Sequence, residues 1–557
     1  MSEAPNPLSQ YFATNSSPNP IELATIRKEI DQYDIAIGKI RLELRNLEAG
    51  RQRYEGLLSP LRRKPLPLEI LGEVFSYLIY PLFSELDELH EFVGMVGYDV
   101  GSGRNALINL CLVCKAWRDA VYATPPLWSR VDIYWDSLDF EKVNQWLNRS
   151  RGVPKSLVIY PHDLSQELTD DHLTILEELL TAGPPLGRLD LRMSNGPEED
   201  EAHLQRLADL LKPVLDVKFP PPPWNSLKSF TLQFSGSNAE ISDVVIPRFP
   251  HLKSLHLRLP SFYDEDPWDD DHQSVPFDIP QDILEGLTNL TLSNCDWTGC
   301  TILALIRWCK NVKTLTVRHP SGWLINLDSP FLQGLTSTGI PLPAVQSLRL
   351  GNLCREQSDI LRFLRTPSLV ELDLSFDLLN ADGNFEYPEE AEYQYPNLES
   401  LKSNILSLVK NPTSIDCDVD LRRLRLHNLY ISANSLASIL TSLPSLSHLT
   451  LDEVWFDSTL FKQLEAAGTK CLPRLEVLEL LNVPECFHIP DVYAFVASRR
   501  SFGQPGITGM EGTAGLRELT MTVTPPPKDS GSGLRNAERV LREQYNLTAN
   551  LGYMHSK

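Results

Sequence analysis

The sequence predicts an α/β fold: a long solenoid with a curved parallel sheet and outer helices, preceded by a small all-α region and a coiled-coil-like helix. Three observations predict it. An apolar-x-x-apolar-x-apolar phrase returns about a dozen times between Leu186 and Leu516. Helical patterns separate the copies. Near the N-terminus, apolar residues follow one another at alternating steps of three and four, as on one seam of a supercoiling helix. The chain has 557 residues, 42% of them hydrophobic, which suffices for a large core. Its net charge of −22 argues against a general nucleic-acid binder, which needs a basic face to displace counterions.

Residues 1–20, rich in Ser, Asn and Pro, read as a tail without the basic start and apolar run of a signal peptide. Residues 21–59 form the seamed helix: Leu23, Ile26, Ile30, Tyr33, Ile37, Ile40, Leu44, Leu47, Arg51, Tyr54 and Leu58 occupy alternating a and d positions of a heptad. Such a seam needs cover, either from a second copy, giving a homodimer through residues 21–58, or from the chain's own next domain. Pro60, Pro65 and Pro67 end the rod.

A small helical domain is expected over 60–135. "PLPLEILGEVFSYLIYP" is a short helix entered through proline, with Leu68, Leu71, Phe75 and Leu78 on one face. Residues 79–105 contain glycines and acids and read as an internal loop. "LINLCLVCKAWRDAVYATPPLW" (107–128) reads as a second helix closed by Pro125-Pro126. Its apolar and aromatic groups exceed what so small a domain hides, which points to a protein-binding surface.

The repeats are expected over 136–549, followed by a tail at 550–557. Copies include "PHLKSLHLRL" from 250, "PAVQSLRLGNL" from 343, "PSLVELDLSF" from 367, "DLRRLRLHNL" from 420 and "PSLSHLTLDEV" from 444. "PNLESLKSN" from 396 fits with one relaxed position, Ser403, and "PKSLVIY" from 154 is fainter. The last three apolar positions alternate, so each unit supplies one strand. "HLTILEELL", "AHLQRLADLL", "TILALIRWC", "SDILRFLR", "SLASILTSL" and "VYAFVASRR" supply helices. A strand-plus-helix unit of roughly 30 residues matches the leucine-rich repeat. "FPPPPW" (219–224) and the acidic "YDEDPWDDD" (263–271) read as long loops.

No phosphate loop, zinc-protease pair or nucleophile elbow is present in the sequence, and no catalytic residue is assigned. Cys111 and Cys114 make a lone C-x-x-C without the second pair that a structural zinc requires, so neither metal nor cofactor is expected. On a helix they share a face and pack. Nine cysteines without a pairing pattern suit reduced thiols, hence the cytoplasm or nucleus. No apolar run of membrane-spanning length occurs, so neither membrane nor nucleic acid is an expected partner.

The 60–135 segment resembles the F-box. Leu66-Pro67, Glu69-Ile70-Leu71, Val113-Cys114, Trp117 and Leu127-Trp128 fall in order on that family's pattern, and Leu68 departs from it. With its preceding heptad helix, the chain is similar to F-box proteins with C-terminal leucine-rich repeats from mushroom-forming fungi. The resemblance implies that Leu66, Pro67, Ile70, Leu71, Val74, Phe75, Val113, Cys114, Trp117, Leu127 and Trp128 bind the S-phase kinase-associated adaptor. It further implies a non-catalytic substrate-recognition subunit of a cullin-RING (SCF-type) ubiquitin ligase, the repeats holding the target. The alternative is a non-degradative interaction scaffold using the same two surfaces.

The target surface is read from the strands. In each unit, the residue between the last two apolar positions and the one after them point to the concave face. On that face, between Arg258 and Arg425, the cations Arg258, Arg318, Arg349, Lys402 and Arg425 meet one acid, Asp373. Clustered guanidinium groups suit an acidic or phosphorylated target segment. Alternatively, Asp373 and nearby loop acids neutralise them.

Overall fold

The computed structural model describes residue 17 and residues 19–58, 66–89, 102–160, 169–194, 226–235, 251–258, 279–293, 299–318, 330–353, 356–376, 398–409, 419–457, 459–468, 471–483, 489–501, 516–523 and 548–553. The two long loops, the "AHLQRLADLL" helix and most of the expected tails lie outside these residues; of the tails, residues 17, 19, 20 and 550–553 are described. The chain divides into two compact bodies, Met1–Phe75 with Cys111–Ala123, and Ser76–Leu110 with Thr124–Lys557.

In the first body, helix α1 spans Pro20–Leu58, as the heptads predict. Asn19 starts it. Its side-chain oxygen accepts from the amides of Ile21 and Glu22, while its own amide donates to the Glu22 carboxylate at 2.7 Å. That reciprocal cap satisfies amides that a helix start leaves unpaired. The seam residues Leu23, Ile30, Tyr33, Ile37, Ile40, Leu44, Leu47 and Tyr54 are exposed along the rod. Helix α2 (Leu68–Leu89) begins in this body and passes to the second after Phe75, α3 (Ser102–Val113) enters this body at Cys111, and α4 (Lys115–Ala123) lies in it. The loop expected at 79–105 is therefore a correction: α2 continues to Leu89 and α3 starts at Ser102, and 90–101 lie outside the described residues. Tyr77, Leu78 and Ile79 sustain the apolar run that carries α2 beyond the expected stop. Cys114 separates α3 from α4, so Cys111 and Cys114 do not share one continuous helix.

The second body is a fourteen-stranded sheet whose order follows the chain. Its strands are β1 (Arg130–Tyr134), β2 (Lys155–Tyr160), β3 (Leu186–Ser194), β4 (Ser229–Ser235), β5 (Ser254–Arg258), β6 (Asn289–Ser293), β7 (Thr314–Arg318), β9 (Ser347–Leu353), β11 (Glu371–Phe376), β12 (Arg423–Tyr430), β13 (His448–Trp455), β14 (Val477–Val483), β15 (Glu518–Val523) and β16 (Thr548–Tyr553). A separate pair joins β8 (Ile340–Pro341) to β10 (Leu364–Arg365). Every pairing is parallel, so each strand is reached by a return segment. The described returns include α5 (Phe140–Asn148), α6 (Asp170–Ala182), α7 (Gln281–Gly286), α8 (Gly299–Ile306), α9 (Pro330–Thr338), α10 (Leu398–Val409), α11 (Ala433–Thr441), α12 (Thr459–Ala466) and α13 (Ile489–Ser501). Asp139, Thr169 and Ser432 cap α5, α6 and α11 through side-chain oxygens. "SDILRFLR" forms a tighter 3₁₀ return at Glu356–Phe363.

The repeat phrase explains the core. Its first apolar position is buried in unit after unit, as at Leu252, Val312, Leu369 and Leu446. The second and third, such as Leu255 and Leu257, Leu348 and Leu350, or Leu424 and Leu426, are buried and stacked in register with their neighbours. Burying each such side chain stabilises the fold by about 1.5–3 kcal/mol relative to leaving it in water. The sheet extends slightly past the expected bounds of 136 and 549, because Arg130–Tyr134 pairs with β2 and Thr548–Tyr553 pairs with β15.

One expected strand is corrected. The Leu398–Asn404 part of "PNLESLKSN" lies in α10, and β11 pairs directly with β12. Ser403 breaks the strand alternation there. Leu401, Ile405, Leu408 and Val409 are buried at helical spacing instead. Lys402 is therefore on a helix and not on the sheet.

The strand ends carry a feature absent from the sequence reading. Asn352, Asn428, Glu453 and Asn482 have φ of 53–55°, each two residues past the last buried strand leucine of its unit. This left-handed step turns the next residue, Leu353, Leu429, Val454 or Val483, back into the core. Asparagine tolerates the conformation better than most residues. The Asn428 side-chain amide also donates to the Phe376 carbonyl at 2.9 Å. Asn428→Ala is expected to destabilise the chain by about 1–2 kcal/mol, and Asn428→Gly by less, because glycine keeps the backbone conformation. Urea midpoints for both variants measure this.

Candidate functional site

Two surfaces qualify. The first is an apolar face in the helical region. On α2, Ile70 and Val74 lie one turn apart and are exposed, while Phe75 is 1% exposed. Leu66 and Leu68, just ahead of and at the start of α2, are exposed as well, as are Leu112 and Val113 at the end of α3. The Phe75 ring meets Trp117 of α4 at 5.0 Å between centroids, which fixes α4 against α2.

The residues implied as adaptor-binding therefore separate. Leu66, Pro67, Ile70, Val74, Val113 and Cys114 are exposed; Leu71 and Trp117 are half-buried. Phe75, Leu127 and Trp128 are corrected. Phe75 is core, and Leu127 and Trp128 are each 2% exposed. Trp128 packs edge-on against Trp146 at 4.7 Å, with the Arg149 guanidinium over its ring. A large aromatic that has such partners within its own body serves packing. Leu68, Leu112 and Tyr122 are exposed additions that the motif did not mark. Their signal was available, as apolar residues off the buried face of short amphipathic helices.

The second surface is the sheet face opposite the buried leucines. The register lines up one row as Arg192, Gln233, Arg258, Ser293, Arg318 and Gly351, one residue per strand from β3 to β9. A methyl group on Gly351 would come within 2.9 Å of Arg318 Cγ, so the missing side chain leaves room for that arginine. His256 lies in the adjoining row, with its Nε2 3.2 Å from Ser293 Oγ. Burial lowers the His256 pKa to about 4. Asp190 opposes that shift, and Arg192, Arg318 and Arg258 add to it. Asp190 itself is fully buried and held by Arg188 at 2.6 Å.

The other half of the face is paired internally. Arg425 lies between Asp452 at 2.9 Å and Asp373 at 3.6 Å, and Arg349 meets Glu371 at 3.4 Å. His448 and Thr450 both reach the Glu479 carboxylate, at 3.2 and 2.7 Å. Arg258, Arg318, Arg349 and Arg425 thus lie on the sheet face as expected. The central pair is nevertheless matched by acids, and Lys402 is absent from the face. Among the described residues no cluster has the make-up of a metal site, and no helix is long and apolar enough to cross a membrane.

Residues 65–134 match the F-box-like family. A match of this kind implies an interaction module that binds an adaptor, not a catalytic domain. No curated protein matches the chain. Among solved structures, a Bacteroides fragilis protein is similar with a TM-score of 0.29 and 14% identity, covering 55% of this chain and 72% of its own. At that score the likeness carries no argument.

His256 gives a pH prediction. Its folded pKa lies below the ordinary value of 6.5, so the unfolded chain takes up a proton first as pH falls. The stabilisation is present above about pH 6.5 and is lost progressively toward pH 4, by about 3 kcal/mol. His256→Gln is expected to flatten the fall in urea midpoint across that window relative to wild type.

Proposed function

We propose that this protein is the substrate-recognition subunit of an SCF-type cullin-RING ubiquitin ligase. The F-box-like region docks the S-phase kinase-associated adaptor, and through it the cullin scaffold, while the open sheet face holds the target. The observation that carries this reading is the exposed apolar group Leu66, Leu68, Ile70, Val74, Leu112 and Val113, lying within the F-box-like match. Exposed apolar residues gathered in one small region are expected to be covered by a partner. The protein itself does no chemistry. It raises the effective concentration of the target beside a ubiquitin-loaded enzyme. The cytoplasm or nucleus, where thiols stay reduced, is the compartment in which it would act. A scaffold that binds both partners without degradation is the second reading, favoured by the same exposed group. Co-recovery of the cullin with ubiquitylated target separates the two.

Leu66→Ala combined with Ile70→Ala tests the docking face. Hot-spot truncations each cost about 2 kcal/mol or more, so the double variant should bind purified adaptor at least about 100-fold more weakly. The repeats should keep their urea midpoint. Wild-type adaptor affinity in the double variant rejects the proposal.

For the target, Arg258 and Arg318 are the probe, because the strand register places both in one row of the sheet face, on alternate strands. The reading is that an acidic or phosphorylated segment meets Arg258 and Arg318. Arg258→Glu with Arg318→Glu should abolish target capture under proteasome blockade while adaptor binding persists. Unchanged recovery of every captured protein rejects it.

A further inference from the structure

The exposed seam of α1 has a charge pattern along its flanks that chooses a partner. In the heptad register set by Leu23, Ile26, Ile30 and the positions that follow, the e positions are Arg27, Asp34, Arg41, Glu48 and Glu55, and the g positions are Glu22, Glu29, Ala36, Glu43, Gly50 and Leu57. In a coiled coil these positions border the apolar seam and set partner choice and direction. The seam persists for about five heptads, beyond the three or four that mark a coiled coil.

A parallel, in-register pair fails on this pattern. Parallel helices bring g of one chain to e of the next heptad in the other. That sets Glu29 against Asp34 and Glu43 against Glu48, twice each by symmetry, and only Glu22 against Arg27 is attractive. It also stacks Arg51 on its own copy inside the seam, where like charges are costly.

An antiparallel pair succeeds. Opposing Leu23 to Tyr54, Ile26 to Arg51, Ile30 to Leu47, Tyr33 to Leu44 and Ile37 to Ile40 matches an a position with a d position in every layer. Antiparallel helices bring e to e and g to g. The e flank then reads Arg27 against Glu48 and Asp34 against Arg41, each occurring twice, and every pair is opposite in sign. The g flank reads Glu22 against Leu57, Glu29 against Gly50 and Ala36 against Glu43, with no like charges opposed. Arg51 falls near the rod's end, opposite Ile26, where its stem can cover apolar surface. Its guanidinium turns outward to Glu55 at 2.8 Å, as it already does. Sliding the pair by one heptad destroys the match: one direction sets Arg27 against Arg41, the other sets Arg41 against itself. Ile35 and Leu42 lie on the outer face and do not discriminate between the orientations.

We propose that α1 binds a second copy of this chain as an antiparallel coiled coil in the single register that opposes Asp34 to Arg41 and Arg27 to Glu48. The two Leu58 ends then leave from opposite ends of a rod of roughly 58 Å, at 1.5 Å per residue. This proposal does not depend on adaptor binding.

The test is the mass of the full chain by light scattering at micromolar concentration and low salt, with circular dichroism to confirm that helicity is kept. Wild type should have the mass of two chains of 62.9 kDa. Asp34→Arg sets arginine against Arg41 on both sides and should raise the dissociation constant about tenfold. Asp34→Arg with Arg41→Asp restores opposite charges and should restore the dimer. In a parallel pair the single variant would face Glu29 and bind tighter. A wild-type mass other than two chains overturns the proposal. So does a single variant that binds as tightly as wild type or tighter, and so does failure of the double variant to recover.

Discussion

The constraint on which the repeat body depends is the parallel strand. A strand cannot pair in parallel with its successor in the chain unless the backbone first returns to its starting side. Each unit must therefore alternate a strand with a return, and the return must cover the leucines that the strand presents. That requirement fixes little about the return's form. An α-helix serves after β13, a 3₁₀ segment serves after β9, and an extra helix, α10, is accommodated between β11 and β12. The three apolar positions, by contrast, are buried in each unit from β3 to β15. The opposite face is polar, with Asp190, Thr231, Thr316 and Thr450 buried in it, and is where charge can vary.

Charge does vary there, in two ways. From β9 to β14, acids and bases are interleaved closely enough to neutralise one another, with Arg425 held from both sides. From β3 to β7, arginines recur on alternate strands with Gln233, Ser293 and Gly351 between them. A neutral His256 in the adjoining row fits that field, since a fourth cation beside Arg192, Arg258 and Arg318 would be unfavourable there. Pairing of this kind depends on side chains from different strands meeting, and so on register, which a one-dimensional count of cations cannot see.

Much of the fold was nevertheless legible. Heptad spacing marked α1 to within a residue of its start and end, and the apolar phrase marked β3 to β7, β9 and β11 to β15, because each rests on a periodicity with one physical meaning. The errors have physical causes as well. "PNLESLKSN" satisfies both periodicities at once, since Leu398, Leu401 and Ile405 are also spaced for a helix, and the single serine decided it. The stretch after Leu78 looked like a loop because of its glycines and acids, yet the glycines all lie beyond Leu89 and Glu85, Asp87 and Glu88 are accommodated in α2. Motif matching joined Phe75, Leu127 and Trp128 to the docking residues, although a family pattern preserves core and surface alike and does not label which is which. The left-handed asparagines needed a backbone to be seen. Leu66, Ile70, Val74 and Val113, named from the motif, are exposed on the helical region.

The position of β1 has a practical consequence. The F-box-like match ends at Tyr134, yet Arg130–Tyr134 is the first rung of the sheet and pairs along its length with β2. A fragment cut at the natural-looking boundary near 136 to isolate the repeats would strip that rung. It would leave the β2 backbone, from Lys155 to Tyr160, with a row of unsatisfied amides and carbonyls beside the buried Val158 and Tyr160. Such an open, apolar border is a template for intermolecular strand addition. Insolubility of a fragment begun there would reflect the place of the cut, whereas one begun ahead of Pro125 keeps the terminal rung and the short helical turn that leads into it.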